Sequence, residues 1–259
     1  MGSGAGWRYR TGVPSSAAEV QEQLRAVADS ADAAFLAGFF KTGPGQYGEG
    51  DVFIGVRVPA TRAVVRRHRD LPLDECALLL DSPVHEDRLA GLLILVDQFL
   101  AAGMPRTRDD VHRARLHSFY LDAVRRGRVD NWDLVDSSAE YLVGQHLRDI
   151  GTTALLRDLA RSRQLWERRV AMLATFAFIK SGDAAPTFEI AELLLEDRHD
   201  LIQKAVGWML REAGKRVARD ELIGFLELHA GRMPRTALSY ATEHLSPGER
   251  ARFRAMPRA

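Results

Sequence analysis

Apolar residues return at helical spacing through almost the whole chain, in segments separated by short turns. The stretch 86–100 carries Leu89, Leu92, Leu93, Val96 and Leu100 on one face, a period of about 3.6 residues that specifies an amphipathic helix. The same rhythm predicts helices near 15–27, 32–41, 59–68, 73–80, 109–125, 132–147, 152–160, 166–180, 187–195, 201–212, 220–229, 236–243 and 247–253. Turn residues such as Asp81-Ser82-Pro83, Gly103-Met104-Pro105 and Ser181-Gly182-Asp183 separate them. Pairs of helices recur every roughly 35 to 40 residues, the spacing of a helical repeat array. The repeats are degenerate: Arg88-Leu89-Ala90-Gly91-Leu92 is echoed by Arg169-Val170-Ala171-Met172-Leu173 and more loosely by Lys204-Ala205-Val206-Gly207-Trp208. The expected fold is all-α, an α-α superhelix whose curvature presents a concave face. Residues 15–259 read as one repeat domain behind a flexible arm, 1–14, that contains Trp7 and Tyr9.

One stretch breaks the rhythm. Val52-Phe53-Ile54-Gly55-Val56 reads as a short extended piece that plugs the core. Just before it, Gly43 to Gly50 contains G-x-G-x-x-G, but it follows a helix and carries Pro44. A dinucleotide fingerprint follows a strand and opens a helix, so this is read as a glycine-rich turn beside a binding surface.

Composition excludes several classes. With 46% apolar residues the chain can bury a large core. Its formal charge of +1 rules out a uniformly basic protein but not a basic face. The single cysteine, Cys76, forms no internal disulfide and no thiolate metal site. No run of about 18 apolar residues spans a membrane, and the opening residues lack the apolar core of a signal peptide. The expected compartment is the cytoplasm. No HExxH, serine elbow or P-loop occurs, and the eight histidines are scattered, read mostly as surface or capping residues.

Three helices hold the candidates for chemistry. Trp132 and Asp136 are four residues apart and share a helix face, flanking the apolar stripe of Val135, Ala139 and Leu142. They border a groove, or they are ordinary helix-start residues favoured by the dipole. Arg169 flanks the stripe of Trp166, Val170 and Leu173, with Arg168 pointing further out. A guanidinium at a groove holds phosphate well; alternatively one of the two arginines pairs with Glu167 or Asp200, and a surface arginine needs no special role. Trp208 lies beside Lys204 and Arg211 at helical spacing, an indole bordered by two cations, or a partly buried structural residue.

The ordered set of Phe39-Phe40-Lys41, Phe53 to Val56 with Pro59, Asn131 to Asp136, Trp166 to Ala171 and Ile202 to Glu212 resembles the AlkD-like family of alkylpurine DNA glycosylases. Those proteins are built from HEAT-like helical repeats with a concave DNA-binding groove. The resemblance implies that Trp132, Asp136, Arg169 and Trp208 line that groove as catalytic residues. It places Lys204, Arg211, Arg168, Phe39 and Lys41 as DNA-binding residues. It implies duplex DNA containing alkylated purines as partner, no metal or organic cofactor, and a monomer. Excision of N3- or N7-alkylated purines, including bulky adducts, without a snug base pocket would follow. The family often carries Tyr where this chain has Phe39, and the 43–50 insertion is a departure. The alternative from the residues is a non-catalytic repeat protein that binds distorted or branched DNA, and a third is a peptide-binding scaffold.

Overall fold

The computed structural model describes residues 15–258; the expected arm with Trp7 and Tyr9 lies outside them. Ser16 opens α1 (Ala17–Arg25) with a reciprocal cap. Its hydroxyl accepts from the Glu19 N–H, and the Glu19 carboxylate accepts from the Ser16 N–H. Val20 and Leu24, one turn apart, are fully buried. Helices α2 (Ser30–Phe39), α3 (Val58–Val65), α4 (Leu73–Leu80), α5 (His85–Ala101) and α6 (Asp110–Arg125) follow. Then come α7 (Trp132–Asp136), a π-helical stretch (Glu140–Gln145) and α8 (His146–Ile150). The C-terminal part comprises α9 (Ala154–Ala160), α10 (Leu165–Ala174), α11 (Phe176–Lys180), α12 (Ala185–Leu193), α13 (Asp200–Arg216), α14 (Arg219–His229), α15 (Arg235–Ala241) and α16 (Pro247–Arg254).

Packing passes along the chain from neighbour to neighbour. Helix α5 packs on α1, α3 and α4, then on α6 and the π-helical stretch; α10 packs on α7, α9 and α13; α13 packs on α14 and α15. Such nearest-neighbour stacking is the mark of an all-α helical repeat fold. No described helix is long and apolar enough to cross a membrane.

The structure departs from the expected helices in two places. The span 132–147 is broken rather than continuous. The Ser138 hydroxyl donates to the Leu134 carbonyl at 2.6 Å and shares a 3.0 Å hydrogen bond with the buried Tyr120 hydroxyl. A serine bonding back to the preceding turn bends a helix, and the chain continues with a π-helical turn. The span 166–180 is likewise divided at Thr175, whose hydroxyl donates to the Met172 carbonyl.

The extended piece is where the sequence places it. Val52 pairs with Val84 in an isolated parallel bridge. The Glu86 carboxylate accepts from the N–H groups of Ile54, Gly55 and Val56 at 2.9–3.2 Å, answering donors that have no strand partner. Gly55 has φ +82°, and a Cβ there would overlap the Asp29 carbonyl, so only glycine lets this piece pass beside α2.

Close helix contact sets a second glycine. A Cβ on Gly207 would overlap the Ala237 carbonyl and lie 2.6 Å from the Tyr240 Cβ. Gly207→Ala is therefore expected to destabilise the fold by about 1–3 kcal/mol through overpacking. A lower urea midpoint with an unchanged slope is the expected readout, and a parental midpoint would contradict the tight α13–α15 contact.

Candidate functional site

Asn131 starts α7 by accepting from the Trp132 N–H with its side-chain oxygen. One turn of helix then sets Trp132 and Asp136 on the same side, and both line a cleft of about 750 Å³. The cleft wall is largely apolar, with Phe35, Phe39, Phe40, Val58 and Pro59 among its lining residues. Asp136 is not a free carboxylate. Arg169 donates to both of its oxygens, Nε to Oδ1 at 2.9 Å and Nη2 to Oδ2 at 2.8 Å. The third direction of the guanidinium, Nη1, donates to the Leu201 carbonyl at 2.5 Å. The Asp136 side chain is 16% exposed and that of Arg169 only 5%. Burial pushes the Asp136 carboxyl above its usual range; Arg169 opposes that shift, and the nearby charge of Asp133 adds to it. With both oxygens accepting from a guanidinium, the carboxylate is held as an anion in a fixed orientation.

A second cleft, of about 470 Å³, holds Arg169, Lys41, Tyr47, Lys204 and Tyr240. Phe39 and Trp132 line both clefts and meet edge to face at 6.0 Å. They form the ridge between the two, and the Asp136–Arg169 pair joins one side to the other.

The ridge rests on an aromatic stack. Trp132 stacks on Phe40 at 5.1 Å, Phe40 on Phe53 at 4.9 Å, and Phe53 on His85 at 4.4 Å. His85 is 2% exposed. Its Nδ1 lies 2.7 Å from Asp51 and its Nε2 lies 2.8 Å from Asp133. An imidazole satisfies two carboxylates at once only with both nitrogens protonated. Burial alone would lower the His85 pKa, but the charges and hydrogen bonds of Asp133 and Asp51 outweigh it and push it up to about 9. The imidazolium thus ties α7, through Asp133, to the end of the 43–50 loop, through Asp51. Arg88 and Asn131 also bind Asp51, at 2.8 and 3.1 Å.

The expected site residues do not all meet. Trp132, Asp136 and Arg169 come together. Of the two adjacent arginines, Arg169 reaches Asp136, whereas Arg168 is held by Asp197 at 2.7 Å and by the Ser162 and Arg163 carbonyls. Trp208 lines neither cleft. It lies one helical turn beyond Lys204 and beside Phe176, ring centres 6.3 Å apart. Lys180 sits over that Phe176 ring at 4.6 Å and over Tyr141 at 5.8 Å, and Tyr141 lines the first cleft. Arg211 is taken up by Glu212 and Glu243. Lys204 pairs with Asp200 at 2.6 Å. Phe39 is 55% exposed.

Sequence reasoning missed His85, Asp51, Asp133, Tyr141, Tyr47 and Tyr240. The reading of the histidines as mostly surface or capping groups holds for His199, which caps α13. It fails for His68, His85 and His117, which are buried. No local pattern signals the charged imidazole, because its partners Asp51 and Asp133 lie 34 and 48 positions away along the chain.

The profile of the DNA alkylation repair enzymes matches residues 20–245. The chain belongs to that family. Among solved structures, a predicted DNA alkylation repair enzyme from Enterococcus faecalis superposes with a TM-score of 0.62 at 15% identity, covering 85% of this chain and 97% of that one. The likeness shows the same fold over 85% of this chain. No curated protein sequence matches.

Proposed function

We propose that this member of the family is a DNA glycosylase that removes N3- and N7-alkylated purines from duplex DNA by hydrolysis. The observation that carries the reading is the Asp136 anion, oriented by Arg169 and opening beside Trp132 into an apolar cleft. Alkylation at N3 or N7 makes the purine cationic. As the C1′–N bond breaks, its electron pair goes to the base and neutralises it, and positive charge passes to the sugar. A fixed carboxylate stabilises that charge where it develops. It also accepts the proton of the water whose oxygen bonds to C1′. The Trp132 ring presents a π face to the same cation. Trp208 lies beside Phe176 and outside both clefts, so Trp132 alone is assigned to that cation. The cleft beside Asp136, about 750 Å³, leaves room for bulky adducts as well as methyl groups. Duplex DNA with alkylated purines is the partner, and the protein acts as a monomer in the cytoplasm without metal or organic cofactor.

The test is release of 7-methylguanine or 3-methyladenine from methylated duplex, followed by chromatography of the free base. Release above the spontaneous rate is expected. No release from either small or bulky adducts would remove the enzymatic reading. The alternative, non-catalytic binding of distorted or branched DNA, is favoured by one feature: Arg169 already spends three donor directions inside the protein. It requires salt-dependent binding with no base release.

A further inference from the structure

The geometry points to a second contact with the DNA backbone, a phosphodiester clamp in the cleft on the far side of the Phe39–Trp132 ridge from Asp136. It rests on the reading of duplex DNA as the ligand and assigns a role to the glycine-rich loop. One wall of this cleft is Tyr47, carried by the loop, with Lys41 at the loop's base; the other is Lys204 on α13 and Tyr240 on α15. Residues roughly 160 to 200 positions apart along the chain thus line one space of about 470 Å³.

The charge of that space suits an anion. Lys41, Lys204 and Arg169 line it, against the single carboxylate of Asp200. Asp200 is already paired with Lys204 and Arg169 with Asp136. No ion pair involves Lys41 among the described residues. Tyr47 and Tyr240, which also line it, add two neutral phenol donors. Lysines, tyrosine hydroxyls and arginine are the groups that hold backbone phosphates and fix register without reading sequence.

The loop is constructed to hold Tyr47 in place. The Gly43 N–H donates to the Gln46 side chain at 3.1 Å, the Gly45 N–H to the Glu49 carboxylate at 2.8 Å, and the Gly48 N–H to the Lys41 carbonyl at 3.2 Å. A Cβ on Gly48 would overlap the Phe40 carbonyl. Lys41 itself has φ +54°, a left-handed backbone that residues with a side chain rarely adopt. That strained turn sets the Lys41 ammonium 6.0 Å from the centre of the Tyr47 ring. The residue that follows the loop, Asp51, is gripped by His85, Arg88 and Asn131. Loop and catalytic helix are therefore anchored to one buried cluster. A strand clamped by Tyr47 and Lys41 is held in register with Asp136.

Fluorescence anisotropy with an undamaged labelled duplex, repeated across a salt series, tests the clamp. Lys41→Ala is expected to weaken binding about fivefold to tenfold and to reduce the slope of log K against log salt by about one. Tyr47→Ala is expected to weaken binding about threefold to tenfold with the slope unchanged, since a neutral side chain releases no counterion. Tyr47→Phe separates hydroxyl from ring, and thermal midpoints check that each variant is folded. An unchanged slope in Lys41→Ala, or parental affinity in Tyr47→Ala, overturns the clamp. Base release with parental affinity in both variants would leave the glycosylase reading and remove the clamp. Loop-dependent binding with no base release would do the reverse.

Discussion

Asp136→Asn is expected to slow base release from alkylated duplex by about a hundredfold to a thousandfold. That is a loss of about 3 to 4 kcal/mol of transition-state stabilisation, the usual worth of one preorganised electrostatic group. The amide keeps the shape and one acceptor oxygen but removes the charge. The same substitution has a cost in the fold. Arg169 is nearly sealed from solvent, and leaving a buried cation without its partner costs about 3–5 kcal/mol. The lower end applies here, because the Asn oxygen and the Leu201 carbonyl still accept. Activity must therefore be read against stability. The double variant Asp136→Asn, Arg169→Gln discharges the cation as well. It should recover most of the lost urea stability while base release stays at the level of the single variant. Parental release by Asp136→Asn would end the catalytic assignment. Recovery of release along with stability would show that Asp136 serves only to neutralise Arg169.

That experiment turns on a pairing the sequence did not reveal. Trp132 and Asp136 were legible as a unit because four residues of helix fix their common side. The Asp136–Arg169 pair joins residues 33 apart, and nothing in either local pattern states which carboxylate a given arginine meets. The sequence leaves Asp136 at a groove edge or at a helix start, and offers the arginine a phosphate, Glu167 or Asp200; in the fold each is the other's partner. The helical repeat was legible because its period is local. The break in 132–147 was not, because the apolar stripe of Val135, Ala139, Leu142 and Val143 runs on through it. What bends the chain there is Ser138 bonding back to Leu134 while it also meets Tyr120 from α6. The loop 43–50 could be recognised as a turn from its glycines, but its destination could not. That is set at its far end, by Asp51 entering a charged cluster built from α5 and the start of α7.

Raising the pH from about 6.5 to about 9 is expected to cost the fold on the order of 3 kcal/mol through His85 alone. In the unfolded chain the imidazole loses its proton near 6.5; in the fold it keeps it to about 9. A group whose pKa is raised on folding contributes fully below its unfolded value and ceases to contribute as pH rises through its folded value. The charges facing His85 are Asp51 from the loop, Asp133 from α7, and Arg88 with Asp130 around Asp51. Asp51 reports the same contact from the acid side. Burial would raise its pKa, but His85 and Arg88 outweigh it and hold it below the usual carboxylate range. The cluster is therefore strongest between the carboxylate range and about pH 6.5. Other groups shape the profile. Burial lowers His68, His117, His146 and His199, so they erode stability as pH falls, not as it rises. The Cys76 thiol, pushed up to about 12 by burial, adds an alkaline loss that begins near its unfolded value of about 8.5. Urea midpoints at pH 6.5 and 8.5, in the parent and in His85→Gln, isolate the imidazolium. The parent should lose stability across this interval and the variant should be nearly flat. The interval also reaches function, since releasing Asp133 frees α7, which carries Trp132 and Asp136. Trp fluorescence should change together with stability in the parent and not in the variant. A parent as flat as the variant would mean that the ring is neutral at pH 6.5 and that the two aspartates do not share a cation.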